Sequence, residues 1–313
     1  MDAVEPEGGA GTDEREALLR SVAHERAREA LASLRAWDAY AWARLFPRTS
    51  GLGAASDIRR RVRMLRSVEG RLDFLLFPGE RIEFVTRGIL NSFVEQYFMG
   101  IWSYVVNRTV FLFTNYRVIL LNSDRKSRAK VMMWQIPYAR MRKYGAGTVA
   151  GSVGFKLSRR TYKFFGVPRG DRKRLKEFMR GKLEAARTGA LEFPSHEDRD
   201  PLCPRCGTPL VARARACAEC GDEMINPMVP AAMSLAIPGL GDLYLGHHSM
   251  AAVELVGFAM VLLIVLAMVV GGGGADVAAG LVLLAAANTF DAVVTFHVAR
   301  KGALPRRLAW KGR

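Results

Sequence analysis

TVFLFTNYRVILLN, Thr109 to Asn122, holds two apolar runs, TVFLFT and YRVILLN, with one asparagine between them. β-Branched and aromatic side chains fit a pleated, half-buried surface, and Asn115 is a turn residue, so the stretch predicts two neighbouring strands. The pattern continues outward. Beyond the basic loop SDRKSRAK (Ser123–Lys130) comes a third run, VMMWQI (Val131–Ile136). In GFKLSRRTYKFFGV, Phe155 and Leu157 alternate with Lys156, and Tyr162 and Phe164 with Lys163, across Ser158, Arg159 and Arg160. That alternation predicts a hairpin. From Asp171 to Arg187, Leu175, Phe178, Met179 and Leu183 fall on one helical face. Many short strands closed by one amphipathic helix predict a small barrel or sandwich with a helical plug.

The N-terminal side is different in texture. Residues 1–12 read as a Gly-rich, acidic, disordered leader, and residues 13–68 as helical. Asp13 to Phe46 is rich in Ala, Leu, Arg and Glu and stops at Pro47. A second helix, Asp57 to Val68, takes Asp57 as its N-cap. It carries Arg59, Arg60, Arg61, Arg63 and Arg66, which read as a solvated face or as a phosphate-facing patch. The chain of 313 residues has a formal net charge of +16, and the excess is local. Asp57 to Arg187 holds 29 basic and 10 acidic residues. So basic a segment favours anionic lipid, nucleic acid or an acidic protein as partner.

Three short motifs carry a resemblance. LFPGERI supplies Leu76, Pro78, Gly79, Glu80 and Ile82; FTNYRVI supplies Thr114, Asn115, Arg117 and Ile119; IPYARM supplies Ile136, Pro137, Tyr138 and Met141. Residues 72–189 thus resemble the bacterial pleckstrin-homology-like domains. The resemblance implies a pleckstrin-like small β-barrel or sandwich with a C-terminal helix. Eukaryotic phosphoinositide binders of that fold cluster basic residues in the first hairpin, whereas here Val85 to Arg108 offers only Arg87 and Arg108.

After a linker, 190–200, residues 201–224 hold all four cysteines. Cys203-x-x-Cys206 and Cys217-x-x-Cys220 are each followed by glycine, Gly207 and Gly221. A C-x-x-C turn delivers two thiolates from one knuckle, so two knuckles predict a four-cysteine zinc ribbon holding a structural zinc ion. Disulfides and a redox dithiol are the rivals; a redox pair needs a helix in an α/β setting, which the surrounding pattern lacks.

Residues 229–299 read as a membrane domain. Spans are expected at 251–270 and 277–299, each long enough for a hydrocarbon core of about 30 Å. The tail 300–313 is basic, and GGGGAD between the spans has no Lys or Arg. The positive-inside rule then places both termini in the cytoplasm of a multi-pass protein of the inner (plasma) membrane. IPGLGDLYLG (Ile237–Gly246) is too short and too broken for a span, so 229–246 is expected to be re-entrant. Pro238, Gly239, Gly241, Asp242, Tyr244, Gly246, Asp291 and Ala292 resemble the signature of the small two-transmembrane-helix domains of bacteria, some of which use this segment as a further span. Asp242, Tyr244 and Asp291 are the candidate intramembrane polar residues. Asp291 reads as a polar pin between helices, to Tyr244, Asn288 or His297, or as a functional carboxylate. Glu254 is expected to reach water.

No nucleophile–base set and no open metal site stands in the sequence, and GAGTVAGSVG (Gly145–Gly154) lacks the Lys-Ser/Thr of a phosphate loop. A non-enzymatic, membrane-anchored binding or scaffold protein is expected. Arg125, Lys126, Arg128 and Lys130, with Lys156, Arg159, Arg160 and Lys163, are its candidates for contact with anionic membrane lipids. A protein partner, a nucleic-acid-binding role for the arginine helix and ribbon, and a transporter or channel subunit centred on Asp291 are the alternatives.

Overall fold

The computed structural model describes residues 10–147, 151–189, 191, 193–211, 213–271 and 274–306. The leader, as far as residue 9, and the tail beyond residue 306 lie outside the described residues. Two compact units divide the chain: Met1–Gln96 with Ser103–Ala212, and Tyr97–Trp102 with Arg213–Arg313.

The first unit begins with helices α1 (Ala10–Ser21), α2 (Glu25–Ala32), α3 (Trp42–Leu45), α4 (Ala54–Arg66) and α5 (Leu72–Leu75). The expected helical stretch of 13–46 is divided at 22–24 and again at 33–41, where residues 39–41 run beside the first strand. There Ile82 N–H donates to the Ala39 carbonyl and Ala41 N–H to that of Ile82. Helix α4 starts earlier than expected: its N-cap is Gly53 at φ 83°, and Asp57 is an ion-pair partner instead of a cap.

Strands β1 (Ile82–Asn91), β2 (Arg108–Thr114), β3 (Arg117–Ser123), β4 (Ala129–Pro137), β5 (Lys143–Ala146), β6 (Val153–Lys156), β7 (Thr161–Phe165) and β8 (Asp200–Leu202) follow. They form one antiparallel sheet in the order β5-β6-β7-β1-β2-β3-β4-β8. The opening stretch folds as read: Val110 pairs with Leu121 and Phe113 with Val118 around Asn115. The predicted hairpin is β6–β7, with Phe155 opposite Tyr162. Strand alternation sorts the side chains onto two faces. Val85, Val110, Leu112, Ile119, Leu121, Met133 and Leu202 pack with Leu31, Trp42 and Leu65 of the N-terminal helices. On the other face, Phe84 and Phe113 meet Phe178 of α8 (Arg169–Arg187), and Phe111 meets Phe164 edge-on at 4.7 Å. Two short helices between β1 and β2, α6 (Phe93–Met99) and α7 (Ile101–Val106), have no counterpart in the sequence reading.

The three short motifs meet at one buried place. Arg117 donates from Nε to Glu80 Oε1 and from Nη2 to Glu80 Oε2, both at 2.9 Å, and both side chains are fully buried. Glu80 also accepts from Phe77 N–H and from the Thr114 hydroxyl; Arg117 also reaches Gln135 and the Leu75 carbonyl. Asn115 closes the Pro-Gly-Glu turn, accepting from Arg81 N–H and donating to the Gly79 carbonyl. The Tyr138 hydroxyl donates to the Thr114 carbonyl, and burial keeps its pKa well above the ordinary phenol value. Phe77 and Phe193 cover the guanidinium. A buried pair persists only when its remaining lone pairs and protons are satisfied, and here they are.

The second unit carries α9 (Met228–Ala236), α10 (Leu240–Tyr244), α11 (His248–Gly271) and α12 (Gly274–Ala299). At about 1.5 Å per residue α11 and α12 are roughly 36 and 39 Å long, whereas α9 and α10 fall far short of 30 Å. The two long helices are apolar enough to cross a membrane, and most of their surface is uncovered by the protein itself.

Candidate functional site

The cysteine ribbon grows directly out of the sheet. Strand β8 pairs with β4, Leu202 sits in the core, and Cys203 is the next residue. Asp200 anchors the strand: fully buried, it accepts from Gln135 Nε2 and from the backbone N–H of His196 and Glu197. The two knuckles repeat the same backbone pattern. Cys203 N–H donates to Thr208 O and Gly207 N–H to Cys203 O, both at 2.9 Å; Cys217 N–H to Asp222 O and Gly221 N–H to Cys217 O are also 2.9 Å. Gly207 and Gly221 take φ of 74° and 70°, a left-handed conformation that suits glycine, and a Cβ on Gly207 would strike the Phe74 carbonyl. The second knuckle is held by Met224, bridged to Pro305, and by Glu223, paired with Arg306 at 2.8 Å.

All four cysteines converge, with ligand atoms within 4.8 Å of one another. A tetrahedral thiolate site with metal–sulfur bonds of about 2.3 Å has sulfurs about 3.8 Å apart, so the donor set fits a single metal ion. Four protein ligands fill a tetrahedron, which makes such a site structural.

The basic candidates gather at one end of the sheet. The register places the start of β2, the end of β3 and the end of β1 together, since Ile89 faces Arg108 and Thr109 faces Asn122. Asn91 pairs with Lys163, and Lys156 with Thr161, so the β6–β7 turn rises from that same end. The 123–130 loop and the 156–163 hairpin therefore share it. Arg125, Lys126, Arg128, Lys156, Arg159, Arg160 and Lys163 are exposed. Lys130 is half-buried, which lowers its pKa against the pull of Asp124. Arg128 is committed to Asp124 at 2.7 Å. Asp124, against the cost of its partial burial, is held below the ordinary carboxylate range by the Arg128 N–H and guanidinium.

The same end contains a cavity of about 200 Å3 lined by Arg87, Arg108, Thr109, Ser123, Asp124 and Ser127 among others. The sequence offered Arg87 and Arg108 as an isolated pair; strands β1 and β2 bring them together, and Arg60 and Arg63 of α4 stand near. Burial, and then Arg60, Arg108 and Arg63, lower the Arg87 pKa against the opposing charge of Asp171. The five arginines of α4 divide. Arg59, Arg63 and Arg66 are exposed, but Arg61 is fully buried, bound to Asp57, Asp171 and the Val85 carbonyl. Helical periodicity alone could not single out Arg61, because its partner Asp171 lies 110 residues away.

In the second unit, the bend at Pro238-Gly239 is held from α12. Gly239, at φ 86°, donates its N–H to Asp291 Oδ2 at 3.0 Å, and Asn288 Nδ2 donates to the Leu235 carbonyl at 3.0 Å. Asp242 is fully buried, with His247 Nδ1 at 3.0 Å and the Thr295 hydroxyl at 3.3 Å. Gly241 lies where any Cβ would meet the Pro230 carbonyl and the Ser234 and Thr295 side chains, so α10 packs closely on the backbone of α9 and on Thr295 of α12. Tyr244 is half-buried. Glu254, expected to reach water, turns inward: Asp242, Glu254 and Asp291 bring their carboxyl oxygens within 4.8 Å of one another.

No family model matches this sequence, and no curated protein does either.

Proposed function

We propose that this chain is a membrane-anchored binding or scaffold protein, without enzymatic activity, that presents a basic, pleckstrin-homology-like domain to anionic phospholipid at the cytoplasmic leaflet. The observation that carries the reading is the gathering of the 123–130 loop, the 156–163 hairpin and the Arg87–Arg108 cavity at one end of a sheet, in a chain that also has two membrane-length helices. Basic residues near an anionic leaflet contribute about 1 kcal/mol each. Tethering makes such weak contacts effectively intramolecular, so little intrinsic affinity is needed.

The ion in the ribbon is zinc on this reading, held by Cys203, Cys206, Cys217 and Cys220. Bound there it cross-links two knuckles that bury too little surface to fold alone. Helices α11 and α12 span the inner membrane, with both termini in the cytoplasm and the α9–α10 segment re-entrant. The test is co-flotation of the full-length chain, held in phosphatidylcholine nanodiscs, with phosphatidylcholine liposomes that contain or lack phosphatidylglycerol. Short RNA and DNA serve as competitors at two salt concentrations. Selective capture by the anionic liposomes supports the reading; capture by nucleic acid with a steeper salt dependence replaces it with a nucleic-acid role.

The convergence of Asp242, Glu254 and Asp291 favours one second reading, a transport or channel subunit. It requires that Asp291→Asn abolish a cation or proton flux in proteoliposomes at unchanged abundance.

A further inference from the structure

In the Gly-rich stretch from Gly145 to Gly154, Gly147 is crowded by Ser152 and Gly151 has φ 66°, but the two end glycines have no such reason. Gly145 and Gly154 sit directly opposite each other on β5 and β6. Neither has a positive φ, a Cβ on Gly145 would meet nothing within 4 Å, and one on Gly154 would meet only carbonyl oxygens at 3.9 Å. Among the described residues, no turn and no close approach demands glycine there. Glycine inside a strand costs stability, and it often marks a place where a ligand approaches the backbone.

What surrounds the glycines points to the ligand. Lys143 faces Lys156 directly across the β5–β6 pair, Lys156 faces Thr161, and Lys163 faces Gly154. The period of two puts these three lysines on the face that carries the glycines. Like charges directly opposite on a strand pair are destabilising. Among the described residues, none of the three has an ion-pair partner. The lysines rim an open groove of about 430 Å3, floored by Gly145, Gly147 and Gly154 and lined further by Ser152, Thr161 and Phe165, with no carboxylate in its lining.

We propose that this groove is the seat of an anionic phospholipid headgroup, its phosphate held by Lys143, Lys156 and Lys163 above the Gly145–Gly154 floor. The inference rests on the leaflet-binding reading and narrows it from a diffuse basic surface to one shaped site.

Two variants separate the narrow claim from the broad one. Gly154→Val keeps every charge and suits a strand, but it fills the floor. Arg125→Ala with Lys126→Ala removes two charges outside the groove. Full-length chain in phosphatidylcholine nanodiscs is titrated with liposomes of phosphatidylcholine and phosphatidylglycerol at 0.15 M salt (about 8 Å Debye length), and melting curves check that both variants fold. The groove requires Gly154→Val, which removes no charge, to weaken liposome binding roughly tenfold or more with an unchanged or raised melting temperature, whereas the double variant sets the loss that two diffuse charges give, about 1 kcal/mol each. Binding by Gly154→Val equal to the unaltered chain overturns the groove and leaves the diffuse reading standing. Should Gly154→Val unfold, Lys143→Gln with Lys163→Gln takes its place and must weaken binding more than the loop variant does. An unaltered chain that neither binds anionic liposomes nor has slower backbone exchange at residues 153–165 when its own nanodisc contains phosphatidylglycerol overturns both claims. A Gly154→Val defect confined to RNA or DNA overturns the lipid assignment.

Discussion

Glu80 and Arg117 show what a short motif encodes. The spacing of Pro-Gly-Glu and Thr-Asn-x-Arg was readable, but not its physical content. That content is a fully buried ion pair joining residues 37 positions apart, which no local pattern displays. Removing one partner leaves a charge buried without compensation, so Arg117→Met is expected to cost about 3–5 kcal/mol. Replacing both, Glu80→Leu with Arg117→Met, should recover part of that loss. Thermal melts of the four-member cycle check it; additive losses would contradict a shared pair. The arginines of α4 teach the converse. Composition alone reads them as one class, yet Arg61 is core and Arg63 is surface.

Elements were legible where a pattern is strong and local. The β2–β3 pair, the β6–β7 hairpin, α8 and the two long apolar helices all appear within a few residues of their expected bounds. Short apolar segments were not: Phe93 to Val106 fits strand or helix by periodicity, and tertiary context makes it α6 and α7. Strand β8 was invisible because three residues pair only through a distant partner, β4. Its pairing ties the first knuckle to the core. Cys206→Ser is therefore expected to lower metal content from one ion per chain to none, by elemental analysis. It should also open residues 203–220 to protease, since apparent zinc affinities of about 10–16 kcal/mol hold such ribbons folded. In the second unit, the proline and glycines of IPGLGDLYLG make a bend whose exposed backbone groups α12 satisfies. Asp291→Leu strands the Gly239 N–H at a cost of about 1–3 kcal/mol. Asp291→Asn keeps an acceptor there. Abundance in the membrane should fall for the first and hold for the second; equal loss in both would assign the carboxylate charge a role beyond the pin.

At the scale of the molecule, charge and oil are segregated along the sequence: 29 basic residues against 10 acidic ones from Asp57 to Arg187, and two long apolar helices after Met228. That segregation was legible before any fold, whereas the gathering of the basic loops at one sheet end needed the strand register. Reporter fusions at the first and last residues should both report the cytoplasm if two helices span; opposite sides would make α9–α10 a third crossing. The central claim, that the basic end meets the leaflet in which the chain is anchored, is tested most directly by hydrogen exchange. The full-length chain is reconstituted into nanodiscs of pure phosphatidylcholine and into nanodiscs with phosphatidylglycerol. Backbone exchange is then read across residues 123–130 and 153–165. The account predicts slower exchange in both segments with phosphatidylglycerol, reversed by high salt as surface charges are screened. Identical exchange in the two membranes would contradict it.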